Sequence, residues 1–216
     1  MYLSKITLHT RTLAPTQLLQ LVERGEYAMH QWLWALFPAS QTRTFLYRRE
    51  ELQGAFCFYV LSQSAPAENP LFTIESRPFA PSLHAGQRLG FSLRANPVVC
   101  KNGKRHDVLM DAKYQWRGEK DLAAIADLQA QAACDWFVRQ GEQHGFSLAQ
   151  VEAGAYRQQQ LMQGKTKRLI RFSSVDFTGV LIVTDPQKLL TRLSLGLGKS
   201  RAFGCGLMLI KPELIG

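Results

Sequence analysis

Apolar and polar residues alternate from Tyr2 to Thr10, the period of a half-buried strand. The period lengthens to helical spacing over 15–36, with a break expected near Gly25, and Phe37-Pro38-Ala39-Ser40 closes that segment. Residues 43–50 and 55–62 read as two strands joined by a turn at Gln53-Gly54. The Pro-containing stretch 65–70 has room for a short helix, and 71–78 reads as a strand. In the second half, 88–99 reads as one strand and 120–141 as the best-marked helix. Asp121 is its expected N-cap, and Leu122, Ile125, Leu128, Ala132 and Trp136 recur at helical spacing. Strands are expected over 148–161 and 168–184, around a basic hairpin tip, Met162-Gln163-Gly164-Lys165-Thr166-Lys167. Asp185-Pro186 pairs a cap with proline at the first helical position, so a helix runs through 187–195. A last strand is expected over Leu207–Lys211.

Both halves therefore follow the order β-α-β-β-α-β. The expected fold class is α+β, two tandem ferredoxin-like domains. The first, 1–84, carries the helix with the candidate catalytic residues. The second, 85–216, carries the basic hairpin and a glycine-rich loop.

Composition narrows the function. The chain has 216 residues, 46% of them hydrophobic, which is enough for packed cores. Its formal net charge is +9 while only 20% of residues are charged, so the excess belongs on a folded surface and points to a polyanion, most often nucleic acid. Cys57, Cys100, Cys134 and Cys205 form no C-x-x-C pair, which fits neither a zinc site nor a disulfide framework. There is no signal-peptide pattern and no apolar run long enough to span a membrane, so a cytoplasmic protein is expected.

Three basic clusters lie in the second half: Lys101, Lys104 and Arg105; Lys165, Lys167, Arg168 and Arg171; Lys199 and Arg201. They read either as solvated faces or as one electrostatic track for an RNA backbone. The last belongs to Gly196-Leu197-Gly198-Lys199-Ser200-Arg201-Ala202-Phe203-Gly204-Cys205-Gly206. Such a loop reads either as a helix-to-strand turn or as backbone N–H groups and cations offered to phosphate.

On the first long helix Met29, Leu33 and Leu36 fall on one face, and Tyr27, His30 and Trp34 fall roughly opposite. An imidazole there is suited to proton transfer near neutral pH, with a phenol one turn earlier to orient a phosphate. Packing or a plain surface position is the competing reading. His9, His84, His106 and His144 have weaker contexts, and no spacing suits a metal, so metal-independent chemistry without a cofactor is expected.

Met1-Tyr2-Leu3-Ser4-Lys5, Tyr27-x-x-His30 followed by Trp34 and Leu36-Phe37-Pro38, Phe91-x-Leu93-Arg94-Ala95-Asn96-Pro97 and the Gly196–Gly206 loop occur in that order. In these strings the chain resembles the CasE/Cse3 family, CRISPR repeat-processing endoribonucleases of the type I-E Cascade complex. The resemblance implies binding of the CRISPR repeat hairpin and a cut at the 3′ base of its stem by attack of a ribose 2′-OH. The products would be a 2′,3′-cyclic phosphate (or 3′-phosphate) and a 5′-OH. It puts the catalytic histidine on His30 and its helical neighbour on Tyr27. It puts the stem-gripping hairpin on 157–171, with Lys167 stabilising the transition state. Arg94, Lys104, Arg105, Arg157, Lys165, Arg168, Arg171, Gly198, Lys199, Arg201 and Gly204 are the expected RNA-binding positions. The partners implied are crRNA and other Cascade subunits, with no membrane. The rival is a non-catalytic RNA-binding scaffold on the same fold.

Overall fold

The structure, a computed structural model, describes residues 1–10, 13–24, 26–38, 44–52, 55–116, 118, 121–163 and 168–213. Two compact units divide at Pro81 and Ser82. The first also takes in Gln159–Phe172 and Arg201–Gly204.

In the first unit β1 (Tyr2–Leu8) turns Ser4, Ile6 and Leu8 inward, as its alternation requires. Helix α1 (Pro15–Arg24) starts with proline, and the Gln17 side chain reaches back to accept from the Ala14 N–H at 2.9 Å. Helix α2 (Glu26–Trp34) follows, then β2 (Phe45–Leu52), β3 (Ala55–Ser62) and β4 (Phe72–Pro78). The antiparallel sheet has the order β2-β3-β1-β4. Met29, Leu33, Leu36 and Phe37 bury against Ile6, Phe45, Phe58 and Val60 on its helix-covered face. No helix forms over 65–70. The Ala67 N–H is committed to the Leu36 carbonyl at 2.8 Å, Asn69 Oδ1 accepts from Leu71 N–H, and Pro70 disfavours the helical region at Asn69.

The second unit begins with β5 (Arg88–Ala95). The expected single strand over 88–99 is interrupted at Asn96-Pro97, where proline can donate no ladder bond. The chain then makes a small hairpin, β6 (Val98–Lys101) and β7 (Lys104–Asp107), and a helix α3 (Val108–Gln115) that the sequence pattern did not suggest. Asn102-Gly103 turns the hairpin with positive φ at both residues, the favoured two-residue connection. Asp107 caps α3 by accepting from the Leu109 and Met110 N–H groups, and also accepts from the Ser173 hydroxyl.

Helix α4 (Leu122–His144) is capped by Asp121 and ends at Gly145 in the left-handed region, so His144 closes a helix instead of lying in a loop. Its buried stripe is Ala133, Trp136, Phe137 and Gly141. Leu122, expected to share that stripe, is 79% exposed in the first turn. Strands β8 (Phe146–Gln163) and β9 (Arg168–Val183), apart from their ends within Gln159–Phe172, helix α5 (Pro186–Leu195, capped by Asp185) and β10 (Met208–Pro212) complete the unit. The sheet order β10-β5-β9-β8 repeats that of the first unit, strand for strand. Phe91, Phe137, Phe146 and Phe177 interlock above it, with ring centroids 5.1–5.5 Å apart. The fold is thus two ferredoxin-like units in tandem.

Candidate active site and nucleic-acid interface

Burying Met29, Leu33 and Leu36 leaves the opposite face of α2 half-exposed, and that face carries Tyr27, His30 and Trp34. The His30 ring is walled by aromatics: Trp34 edge-on at 5.9 Å, Tyr47 at 6.0 Å and Phe203 at 6.2 Å between centroids. Its Nδ1 is buried, whereas the side chain as a whole is only partly so. Tyr27 stands one helical turn earlier on the same half-exposed face.

Tyr47 and Phe203 were not picked out from the sequence. Tyr47, only 6% exposed, is a core residue of β2 whose hydroxyl donates to the Ala202 carbonyl at 3.3 Å. That bond fastens the 3₁₀ turn Arg201–Phe203 over the sheet, and Phe172 stacks on Phe203 from the far side at 5.6 Å. The apolar run Phe45-Leu46-Tyr47 signals a strand and nothing about which turn it will hold. The turn begins with Arg201, so a guanidinium-bearing turn, an imidazole and a phenol share the first unit.

The shoulders of the glycine loop belong to the second unit. Their backbone N–H groups face inward. Gly196 donates to Arg192, Leu197 to Gly206, Lys199 to Asn96 and Gly206 to Arg94. These four amides hold the loop, and the Lys199 side chain is exposed on it. Gly198 has φ 73°, and a Cβ there would lie 2.8 Å from the Asn96 carbonyl oxygen. Gly204, at φ 78°, would set a Cβ 3.4 Å from the Tyr47 ring. Close approach to backbone explains Gly198, and the left-handed φ explains Gly204.

The Arg94-Ala95-Asn96-Pro97 string has the same kind of role. Asn96 is buried, its side-chain amide donates to the Ser173 carbonyl at 2.6 Å, and its own carbonyl receives Lys199 N–H. Arg94 forms a two-pronged pair with Asp176, its β9 register partner, at 2.7 and 3.0 Å. That geometry commits its guanidinium to the sheet.

The other expected contacts are distributed. Lys104 and Arg105 stand exposed on β7, and Arg157 is exposed on β8, all in the second unit. Arg171 is exposed on β9 in the first unit, and Arg168 opens that strand. Lys165 and Lys167 lie outside the described residues. Burial pushes the Cys57 and Cys134 thiols up, which disfavours a nucleophilic thiolate at either. His144 is lowered by burial first and by Arg192 second. His9 pairs with Thr73 Oγ1 at 2.6 Å, on the far strand β4. Among the described residues no group of three or more His, Cys, Asp or Glu is placed to hold a metal ion, and no helix is long and apolar enough to cross a membrane.

Cse3 of Thermus thermophilus, a CRISPR-associated endoribonuclease, is 31% identical over 148 residues, 63% of this chain and 61% of that protein. The Cascade subunit CasE of Escherichia coli is 29% identical over 197 residues, 88% of this chain and 93% of that protein. A solved structure of the CRISPR endoribonuclease Cse3 bound to a 19-nucleotide RNA superposes with a TM-score of 0.74 at 25% identity, covering 98% of this chain and all of that one. The model of the family described as CRISPR associated protein matches residues 1–212, almost the whole described chain. With its two ferredoxin-like units, its Tyr27-x-x-His30 face and its glycine loop, the chain belongs to the CRISPR associated protein family, in the CasE/Cse3 branch.

Proposed function

We propose that this protein is an endoribonuclease that binds the hairpin of a CRISPR repeat transcript, cuts it, and remains on the product as a Cascade subunit in the cytoplasm. The observation that carries the reading is the imidazole of His30. It is half-exposed, walled by Trp34, Tyr47 and Phe203, sealed at Nδ1, and set in the same unit as the Arg201 turn.

The reaction follows from those groups. The ribose 2′-oxygen attacks the adjacent phosphorus. The O2′–P bond forms as the P–O5′ bond breaks, leaving a 2′,3′-cyclic phosphate and a 5′-OH. One proton leaves the 2′-OH and one is delivered to the departing O5′. His30, through Nε2, carries one of these transfers, and such general acid–base help is worth roughly 10²–10⁴-fold. Tyr27 orients the phosphate or the nucleophile. Arg201 and the hairpin cations Arg168, Arg171, Lys165 and Lys167 hold the stem, with Lys167 stabilising the charge that builds on the phosphoryl oxygens. Exposed Lys104, Arg105, Arg157 and Lys199 add backbone contacts that carry salt dependence but no sequence information. In this mechanism no metal ion enters a step.

The test is a cleavage assay on a repeat hairpin in excess EDTA, with an all-ribose substrate and one carrying a 2′-deoxy sugar just upstream of the cut. Cleavage of the first and survival of the second supports the reading. Tight hairpin binding with the all-ribose substrate left whole overturns it and leaves the scaffold role.

A further inference from the structure

We propose that the groove between the β6–β7 hairpin, α3 and the start of α4 is a stacking site for an unpaired RNA strand, separate from any grip on the stem. The inference rests on the RNA-binding reading above. The groove lies wholly in the second unit and encloses about 690 Å³. Met110 and Ile125 form its apolar wall, and Tyr114 and Trp116 stand in it 60% and 56% exposed. Two large aromatic rings that far out of the core, within three residues of each other, are costly to leave in water and are flat surfaces for a base. Trp116 is also fixed in place. It ends α3, and its N–H is held by the Lys113 carbonyl at 3.3 Å.

The charge around the rings selects the partner. Lys113 and His106 line the groove. Strand alternation puts Lys101, Lys104 and His106 on one face of the hairpin, since Lys101 pairs with Lys104 and Val99 with His106. The two carboxylates in the groove are engaged internally. Asp107 caps α3 and accepts from Ser173, and Asp111 takes the Lys101 ammonium at 2.6 Å and the Gln115 amide at 3.0 Å. What faces outward is Lys104 and Lys113 beside the two rings, a combination that tracks a single strand by stacking and phosphate contact. A protein helix would want an apolar trough without lysines. Within a paired stem the base faces are stacked on each other, so the ligand is an unpaired strand, and the extensions flanking the hairpin are the candidates.

The test compares two RNAs at one salt concentration, the bare repeat hairpin and the same hairpin with unpaired extensions at both ends, the extensions carrying 4-thiouridine. We expect the extensions to tighten binding to the wild-type protein and to crosslink to Tyr114 or Trp116. The Tyr114→Ala/Trp116→Ala double variant should lose about tenfold or more on the extended RNA relative to its own change on the bare hairpin. Trp116→Phe, which keeps a ring, should hold most of the gain. Equal effects on both RNAs, no effect on either, or crosslinks confined to other peptides would overturn the proposal. So would displacement by an apolar helical peptide but not by single-stranded RNA. If wild-type protein ignores the bare hairpin yet an unpaired strand crosslinks at Trp116, the function reading falls and the groove assignment stands.

Discussion

The two units share one strand order and use it differently. The first has no helix between β3 and β4, carries His30 on α2, and surrounds it with Trp34, Tyr47 and Phe203. The second has a full complement of helices, buries its phenylalanines in the core, and sends its cations out on a hairpin and a loop. The first sets Trp34, Tyr47 and Phe203 around His30 besides the aromatics of its core; the second keeps most of its aromatics for the core. The sheet order follows from where apolar residues recur. The chemistry follows from what is attached at the connections.

The largest expected effect breaks the second unit. Ser200, at φ 52°, shows that this loop tolerates a side chain in the left-handed region, so the need for glycine at 198 comes chiefly from the 2.8 Å approach to Asn96. Gly198→Val should cost at least roughly 1–3 kcal/mol of stability, read as a drop in Tm. An unchanged Tm would mean that the loop does not hold the approach described.

A subtler change separates the units. Tyr47→Phe keeps the wall of His30 and removes the bond to Ala202. We expect a loss of about 0.5–1.5 kcal/mol in holding the 201–203 turn, seen as a severalfold slower single-turnover cut with a smaller change in hairpin affinity. Equal losses in rate and affinity would make the turn a binding element only.

The smallest effect is on acid stability. Asp185 is held below the usual carboxylate range, chiefly by the Lys188 backbone N–H it caps. Its pKa is lower folded than unfolded, so its contribution is present above the unfolded value of about 3.9 and fades as pH falls through the folded one. Asp185→Asn should flatten the acid limb of Tm against pH and leave the neutral limb almost as it was. An unchanged acid limb would remove Asp185 from the account.

How much of this was legible varies with how local the cause is. The buried face of α2 was readable because Met29, Leu33 and Leu36 repeat at 3.6 residues. The Asp121 and Asp185 caps were readable because capping is a few-residue interaction. Asn102-Gly103 is a local hairpin signal, whereas α3 has no comparable one, since its eight residues bury only Val108 and Leu109. The wall around His30 had no local signal. Tyr47 meets Ala202 only through the tertiary fold, as Asn96 meets Gly198 and Ser173. The glycines stand out locally, but their neighbours Asn96 and Tyr47 are distant in sequence.

One measurement bears most directly on the central claim: single-turnover cleavage and equilibrium binding of the repeat hairpin by His30→Ala, measured side by side. The account predicts that cleavage falls by about 10²–10⁴-fold or more while affinity stays within a few-fold of wild type. Cleavage at near wild-type rate, or a loss of binding as large as the loss of cutting, would contradict a catalytic His30.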